Sequence, residues 1–153
     1  MVQAITADFP CFRDEATYNG HPVFFYKRAQ ILVADLYAAF TIGKKKLLNI
    51  HNVGELTMFA DYRVPQILHH EGVLHYSEKL ERKISNSTIL PHGSLYEIEI
   101  RAATIESVEL IKDVLHSTGM ITNSIYIDWL LWQKGEEMRD KMLPPHRTIS
   151  IFY

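Results

Sequence analysis

Cysteine is nearly absent from this sequence: Cys11 is the only one in 153 residues. That excludes an internal disulfide and a zinc site built on several thiolates, and makes a reducing compartment the simplest expectation. There is no excess of positive charge, because 16 Lys and Arg face 18 Asp and Glu for a net charge of -2. Without a broad basic field, direct binding to a nucleic-acid backbone is not expected, and a small or mononucleotide ligand fits better. No apolar run is long enough to span a membrane. Met1 to Pro10 has no basic start and is broken by Asp8 and Pro10, so neither leader nor membrane partner is expected and the cytosol is the default. Internal repeats and low-complexity tracts are also missing. The run His69-His70-Glu71-Gly72-Val73-Leu74-His75 lacks the spacing of a helical zinc motif, since His70 and His75 are five apart around a glycine. Neither metal nor other cofactor is expected.

What is present is apolar and aromatic: 47% hydrophobic residues, with 11% aromatic, enough for one domain over residues 1–153. The periodicities read as a succession of helices. Met1 to Asn19 reads as an irregular lead-in packed by Phe9, Phe12 and Tyr18, which Gly20 breaks. Pro22 suits a first helical turn, and Phe25, Ala29, Leu32, Leu36 and Phe40 recur at helical spacing up to a stop at Gly43. Lys44-Lys45-Lys46 then reads as a solvated loop edge. Short helices are expected over Val53 to Ala60 and from Pro65 to Gly72, with another capped by Ser77. Leu95 to Ala103 is expected to be helical, followed by a second helix that Thr104 caps and Gly119 ends. A last helix, capped by Thr122 or Asn123, runs to about Lys141, and Thr148 to Tyr153 is expected to be extended, packing by Ile149, Ile151 and Tyr153.

Two stretches break the apolar pattern. Leu56 to Leu68 sets Asp61 and Arg63 inside what ought to be core, at a junction where free backbone N–H groups can aim side chains into a cleft. Ile125 to Trp132 is apolar except for Asp128. A buried charge is paired or functional. Asp128 therefore reads either as the partner of a buried arginine such as Arg101, which sits among apolar neighbours, or as part of a site. Lys27, beside Phe24, Phe25 and Tyr26, reads either as a stem over core with its head in water or as a phosphate contact.

These segments also resemble a known family. Phe25-Tyr26-Lys27-Arg28-Ala29-Gln30-Ile31-Leu32-Val33-Ala34-Asp35, Met58-Phe59-Ala60-Asp61-Tyr62-Arg63-Val64-Pro65-Gln66, Glu97-Ile98-Glu99-Ile100-Arg101, Asp128-Trp129-Leu130-Leu131-Trp132 and the ending from Pro145-His146-Arg147 occur in this order. Together they look like the queuosine salvage family of queuosine 5'-phosphate N-glycosylase/hydrolases, over about the C-terminal half of a typical member. The resemblance implies an all-α fold, a single helical domain similar to helix-hairpin-helix DNA glycosylases, and a reaction that releases the base queuine from queuosine 5'-phosphate for salvage into tRNA modification. It assigns Asp128 as nucleophile or transition-state stabiliser, and Asp61, Phe59, Trp129 and Gln133, with Asp128, to the substrate.

The chemistry suits those residue types. Breaking a ribose-to-base C–N bond develops cationic charge on the sugar, which a poorly solvated carboxylate stabilises. An ionised Asp61 accepts from the adjacent N–H donors of a guanine-like edge, and flat rings at Phe59 and Trp129 stack on a heterocycle. Two positions depart from the family pattern: Gln133 replaces an acid, and Trp129 a common tyrosine. The alternative expectation is a catalytically inactive, truncated member acting as a binding or interaction fragment.

Overall fold

The structure, a computed structural model, describes residues 1–42 and 47–153. The expected stop at Gly43 and the lysine loop Lys44 to Lys46 lie outside the described residues. Helices dominate: α1 (Val2–Asp8), α2 (Lys27–Tyr37), α3 (Arg63–His70), α4 (Glu78–Ser85), α5 (Leu95–Ser117) and α6 (Ser124–Met138). The fold is nevertheless mixed and not all-α, because β1 (Glu15–Tyr18) and β2 (His21–Phe24) pair as a two-stranded antiparallel sheet. The comparison with all-helical glycosylases is corrected accordingly.

The cause of that correction is a turn. Asn19 (φ 49°) and Gly20 (φ 82°) both lie in the left-handed region, and they form the two-residue link between Tyr18 and its partner His21. Such a link closes a tight hairpin, for which Asn-Gly is the strongest short-range signal. Pro22 therefore sits in an edge strand opposite Thr17 and does not start a helix. The helix begins five residues later, at Lys27, and passes into a π turn over Ala38–Ile42. The lead-in is also more regular than expected, with α1 and a 3-10 turn at Pro10–Phe12. Phe9 is exposed, whereas Tyr18 packs on the core.

Residues 56–60 form neither helix nor strand, with Leu56 extended, and only Val53–Glu55 forms a 3-10 turn where a helix to Ala60 was expected. Outside a helix, neighbouring side chains can point to opposite sides of the chain. Met58 and Ala60 enter one core with Phe25, Val64, Leu68, Ile98 and Ile127. Phe59 enters a second core with Ala34, Val53 and Ile125. A helix would put these neighbours on adjoining faces and could not serve both cores.

Gly72 (φ 74°) closes α3 as expected: its N–H donates to His69 O at 3.1 Å and the Val73 N–H to Leu68 O at 2.8 Å. Ser77 caps α4 through the Leu80 N–H at 3.3 Å, and Asn123 caps α6 through that of Tyr126 at 3.0 Å. α5 is one helix of 23 residues where two were expected. Thr104 caps nothing, because it is buried mid-helix and its hydroxyl donates to Ile100 O at 2.6 Å. Ile149 and Ile151 are exposed, so of the three residues expected to pack the C-terminal segment only Tyr153 does.

Candidate active site at the Asp61–Lys27–Asp128 cluster

The hairpin returns the chain to Asp14, which prepares the site. The Asp14 carbonyl accepts the N–H of Phe25 at 2.9 Å, and its Oδ2 accepts that of Lys27 at 3.2 Å, capping α2. Arg101 holds the Asp14 carboxylate, donating from Nη1 to Oδ1 at 2.9 Å and from Nη2 to Oδ2 at 2.5 Å. Its Nη1 also reaches Glu97 Oε1 at 3.2 Å, its Nε donates to Ala60 O at 3.1 Å, and its guanidinium lies 4.0 Å from the centroid of the Phe25 ring. One fully buried arginine thus ties the start of α2, which carries Lys27, to the backbone just before Asp61. Arg101 has its carboxylates without Asp128, so the purely structural pairing considered for Asp128 does not form.

Asp61 occupies the junction between the non-helical residues 56–60 and α3. Its Oδ1 accepts the backbone N–H of Arg63 at 2.9 Å and of Val64 at 3.0 Å. The free N–H groups expected at this corner are therefore used by Asp61 itself, leaving Oδ2 as the oxygen not engaged in capping. Burial raises the Asp61 pKa, against the opposing pull of the Val64 amide and the Lys27 ammonium.

Asp128 reaches the same region from α6, which packs against α3. It is 4% exposed, and its Oδ1 is buried with no hydrogen-bond partner. Burial, reinforced by repulsion from Asp61, pushes its pKa up to about 8, while the Phe59 backbone amide and Lys27 act in the other direction. Lys27 is buried too, contrary to the reading with its head in water. Burial lowers its pKa, the negative charges of Asp61, Asp14 and Asp128 raise it, and its Nζ lies 5.8 Å from the Tyr153 ring centroid. Arg28 does reach outward, donating to Ile151 O at 3.1 Å.

Two carboxyl groups and one ammonium thus share a poorly solvated region. Phe59 borders it through the second core, where half-buried Trp129 packs on the same cluster and meets Tyr126 edge-on at 5.5 Å. Gln133 is set apart: it is exposed, and its amide donates to Glu137 Oε1 at 3.2 Å. Five positions beyond Asp128, it lies about 140° around the helix. Arg63 is committed to structure, bonded to Glu136 Oε1 at 2.6 Å and to Gln66. Among the described residues no group of side chains is suited to a metal ion.

Sequence reasoning missed Asp14, His146 and Tyr153. The Tyr153 hydroxyl donates to Glu97 Oε1 at 2.8 Å and meets His146 Nε2 at 3.2 Å. Burial and the neighbouring Arg101 charge bring the His146 pKa down to about 4. His146 is therefore neutral, with its Nε2–H donating to the tyrosine oxygen. The unmatched charge on Arg101 was the one signal that led toward this network.

A family model described as queuosine salvage protein matches residues 1–153. The chain is 49% identical over 153 residues to queuosine 5'-phosphate N-glycosylase/hydrolase of Sphaerobacter thermophilus, covering 100% of this chain and 47% of that protein. It is 46% identical over 153 residues to the protein of that name in Dictyostelium discoideum, and 41% identical over 162 residues to that in Mus musculus, again covering 100% of this chain and 47% of each relative. The chain spans about half the length of the curated relatives it matches.

Proposed function

Because the chain belongs to the queuosine salvage protein family, we propose that its site hydrolyses the N-glycosidic bond of queuosine 5'-phosphate, with Asp128 as the catalytic carboxylate. In this reaction the ribose C1'–N bond breaks, water supplies the new C1'–O bond, and the base leaves with a proton. The observation that carries the reading is the buried, unpartnered Asp128 Oδ1 beside Asp61 and Lys27.

Burial and Asp61 both penalise the charged form of Asp128. Cationic charge developing on the ribose reverses that balance, so ionised Asp128 is favoured more in the transition state than in the ground state. Only such differential stabilisation accelerates the chemical step. Asp61 Oδ2 accepts an N–H from the base, while Phe59 and Trp129 supply apolar and aromatic surface. Gln133 contacts the base only with a change of its present bond to Glu137. The substrate is a small nucleotide, not a nucleic acid, in keeping with the net charge of -2. A cytosolic setting suits the single, exposed Cys11. No helix among the described residues is long and apolar enough to cross a membrane.

A second reading has its own support. Leu110, Val114, Met120, Ile121 and Leu130 expose apolar surface around the α5–α6 corner, on a chain about half as long as its relatives. On that reading it is a binding or interaction fragment without turnover. The experiment is incubation of the purified chain with queuosine 5'-phosphate, following free queuine, with Asp128→Asn alongside. Release by the parent and none by a folded Asp128→Asn supports the glycosidase. A folded parent that releases nothing favours the fragment, and equal release by both removes Asp128 from the mechanism.

A further inference from the structure

An open cavity of about 370 Å³ lies between the start of α3 and the C-terminal segment, with Tyr62, His146, Arg147, Thr148 and Tyr153 in its wall. Neither Asp61 nor Asp128 lines it, yet it adjoins their cluster. Tyr62 directly follows Asp61, and Lys27 lies over the ring of Tyr153. Two features of the wall are unspent. The Arg147 side chain forms no ion pair or hydrogen bond among the described residues, although its backbone carbonyl accepts the Leu90 N–H at 2.7 Å and Tyr153 is held by Glu97. The Thr148 Oγ1 is buried without a hydrogen-bond partner, an arrangement that proteins seldom leave unused.

The other cations nearby are engaged, Arg28 with the Ile151 carbonyl. Lys27 faces the two carboxyl groups, Arg63 is paired with Glu136, and Arg101 with Asp14. Arg147 is the cation in the cavity wall, and a guanidinium forks onto a phosphate in a two-point manner. A 5'-phosphate stands one pentose away from the glycosidic bond, and the cavity stands one aromatic ring away from Lys27.

We propose that this cavity is the subsite for the 5'-phosphate monoester, held by the Arg147 guanidinium and the Thr148 hydroxyl, with Lys27 serving the carboxylates and not the phosphate. The assignment rests on the glycosidase reading for its ligand. Its test is calorimetric titration of the 153-residue chain with queuosine 5'-phosphate and, separately, with queuosine lacking the phosphate. The parent is expected to bind the nucleotide more tightly, Arg147→Gln to lose about tenfold or more of that affinity, and both to bind the nucleoside equally.

Thr148→Val provides an independent arm. It removes a hydroxyl that has no partner within the fold, so its urea midpoint should be unchanged or higher while nucleotide affinity falls several-fold. A purely structural threonine would not separate those two readouts. Equal affinity of the parent for nucleotide and nucleoside, or an Arg147→Gln variant that weakens both alike, overturns the subsite and leaves the glycosidase reading standing. Binding of neither ligand by the folded parent overturns both.

Discussion

Replacing Asp128 with asparagine should stabilise the protein, and increasingly so as pH rises. The side chain keeps its shape while losing a carboxyl that burial and Asp61 hold neutral up to about pH 8. Unfolded, that carboxyl ionises near its ordinary value of 3.8. Between those two values the folded state holds a proton that the unfolded state has released. Stability then falls as pH rises from about 4 to about 8, by up to ~1.4 kcal/mol per pH unit, and levels off above. The whole interval is worth roughly 6 kcal/mol as a ceiling. Asp61 and Lys27 titrate against the same charge and absorb part of it, so about half is expected to appear.

Asparagine removes that slope. The gap between Asp128→Asn and the parent should therefore widen by about 2–4 kcal/mol between pH 5 and pH 8. Urea unfolding followed by far-UV circular dichroism at pH 5, 6.5 and 8 measures it directly. A gap that stays constant across this range, or a variant less stable than the parent at pH 8, would refute the claim that Asp128 is buried beside Asp61 without compensation.

Turnover should follow the same group in the opposite sense. If ionised Asp128 is required, kcat/KM for queuosine 5'-phosphate should rise with pH and level off near pH 8, and a flat profile from pH 5 to 9 would contradict that role. Arg101→Ala should cost about 3–5 kcal/mol because it strands Asp14 and Glu97 in the interior; a urea midpoint close to the parent's would count against the network. Gly135→Ala sets a new Cβ 2.8 Å from Arg63 Cγ. Its overpacking cost of about 1–3 kcal/mol should outweigh the helix-propensity gain of about 1 kcal/mol, and a stabilised variant would show that Arg63 yields freely. His146, neutral when folded down to about pH 4 against an ordinary value of 6.5, makes the protein lose stability as pH falls through that window. His146→Gln should flatten the loss, as pH-dependent urea midpoints would reveal.

The identity of the exceptional residues was legible in the chain itself. Asp61, Asp128 and Arg101 each interrupt an apolar run, and a charge that must leave water declares itself by its neighbours. Local signals also gave the ends of α3, α4 and α6, where Gly72, Ser77 and Asn123 act within a few residues of their own backbone. Asn19-Gly20 was equally local evidence for a hairpin, and reading only its glycine as a break carried the helix too far toward Pro22.

What tertiary structure alone decided is which charges meet. Arg101 pairs with Asp14, 87 positions away, and not with Asp128. That choice leaves Asp128 Oδ1 unbonded and sets Lys27 between two carboxyl groups. The non-helical path of residues 56–60 was decided in the same way, because Met58, Phe59 and Ala60 serve two different cores. Local propensity carries no information about a core on the far side of the segment, or about a partner that only folding brings within reach. The residue pattern therefore names the buried charges, and three-dimensional packing determines which of them remain available for chemistry.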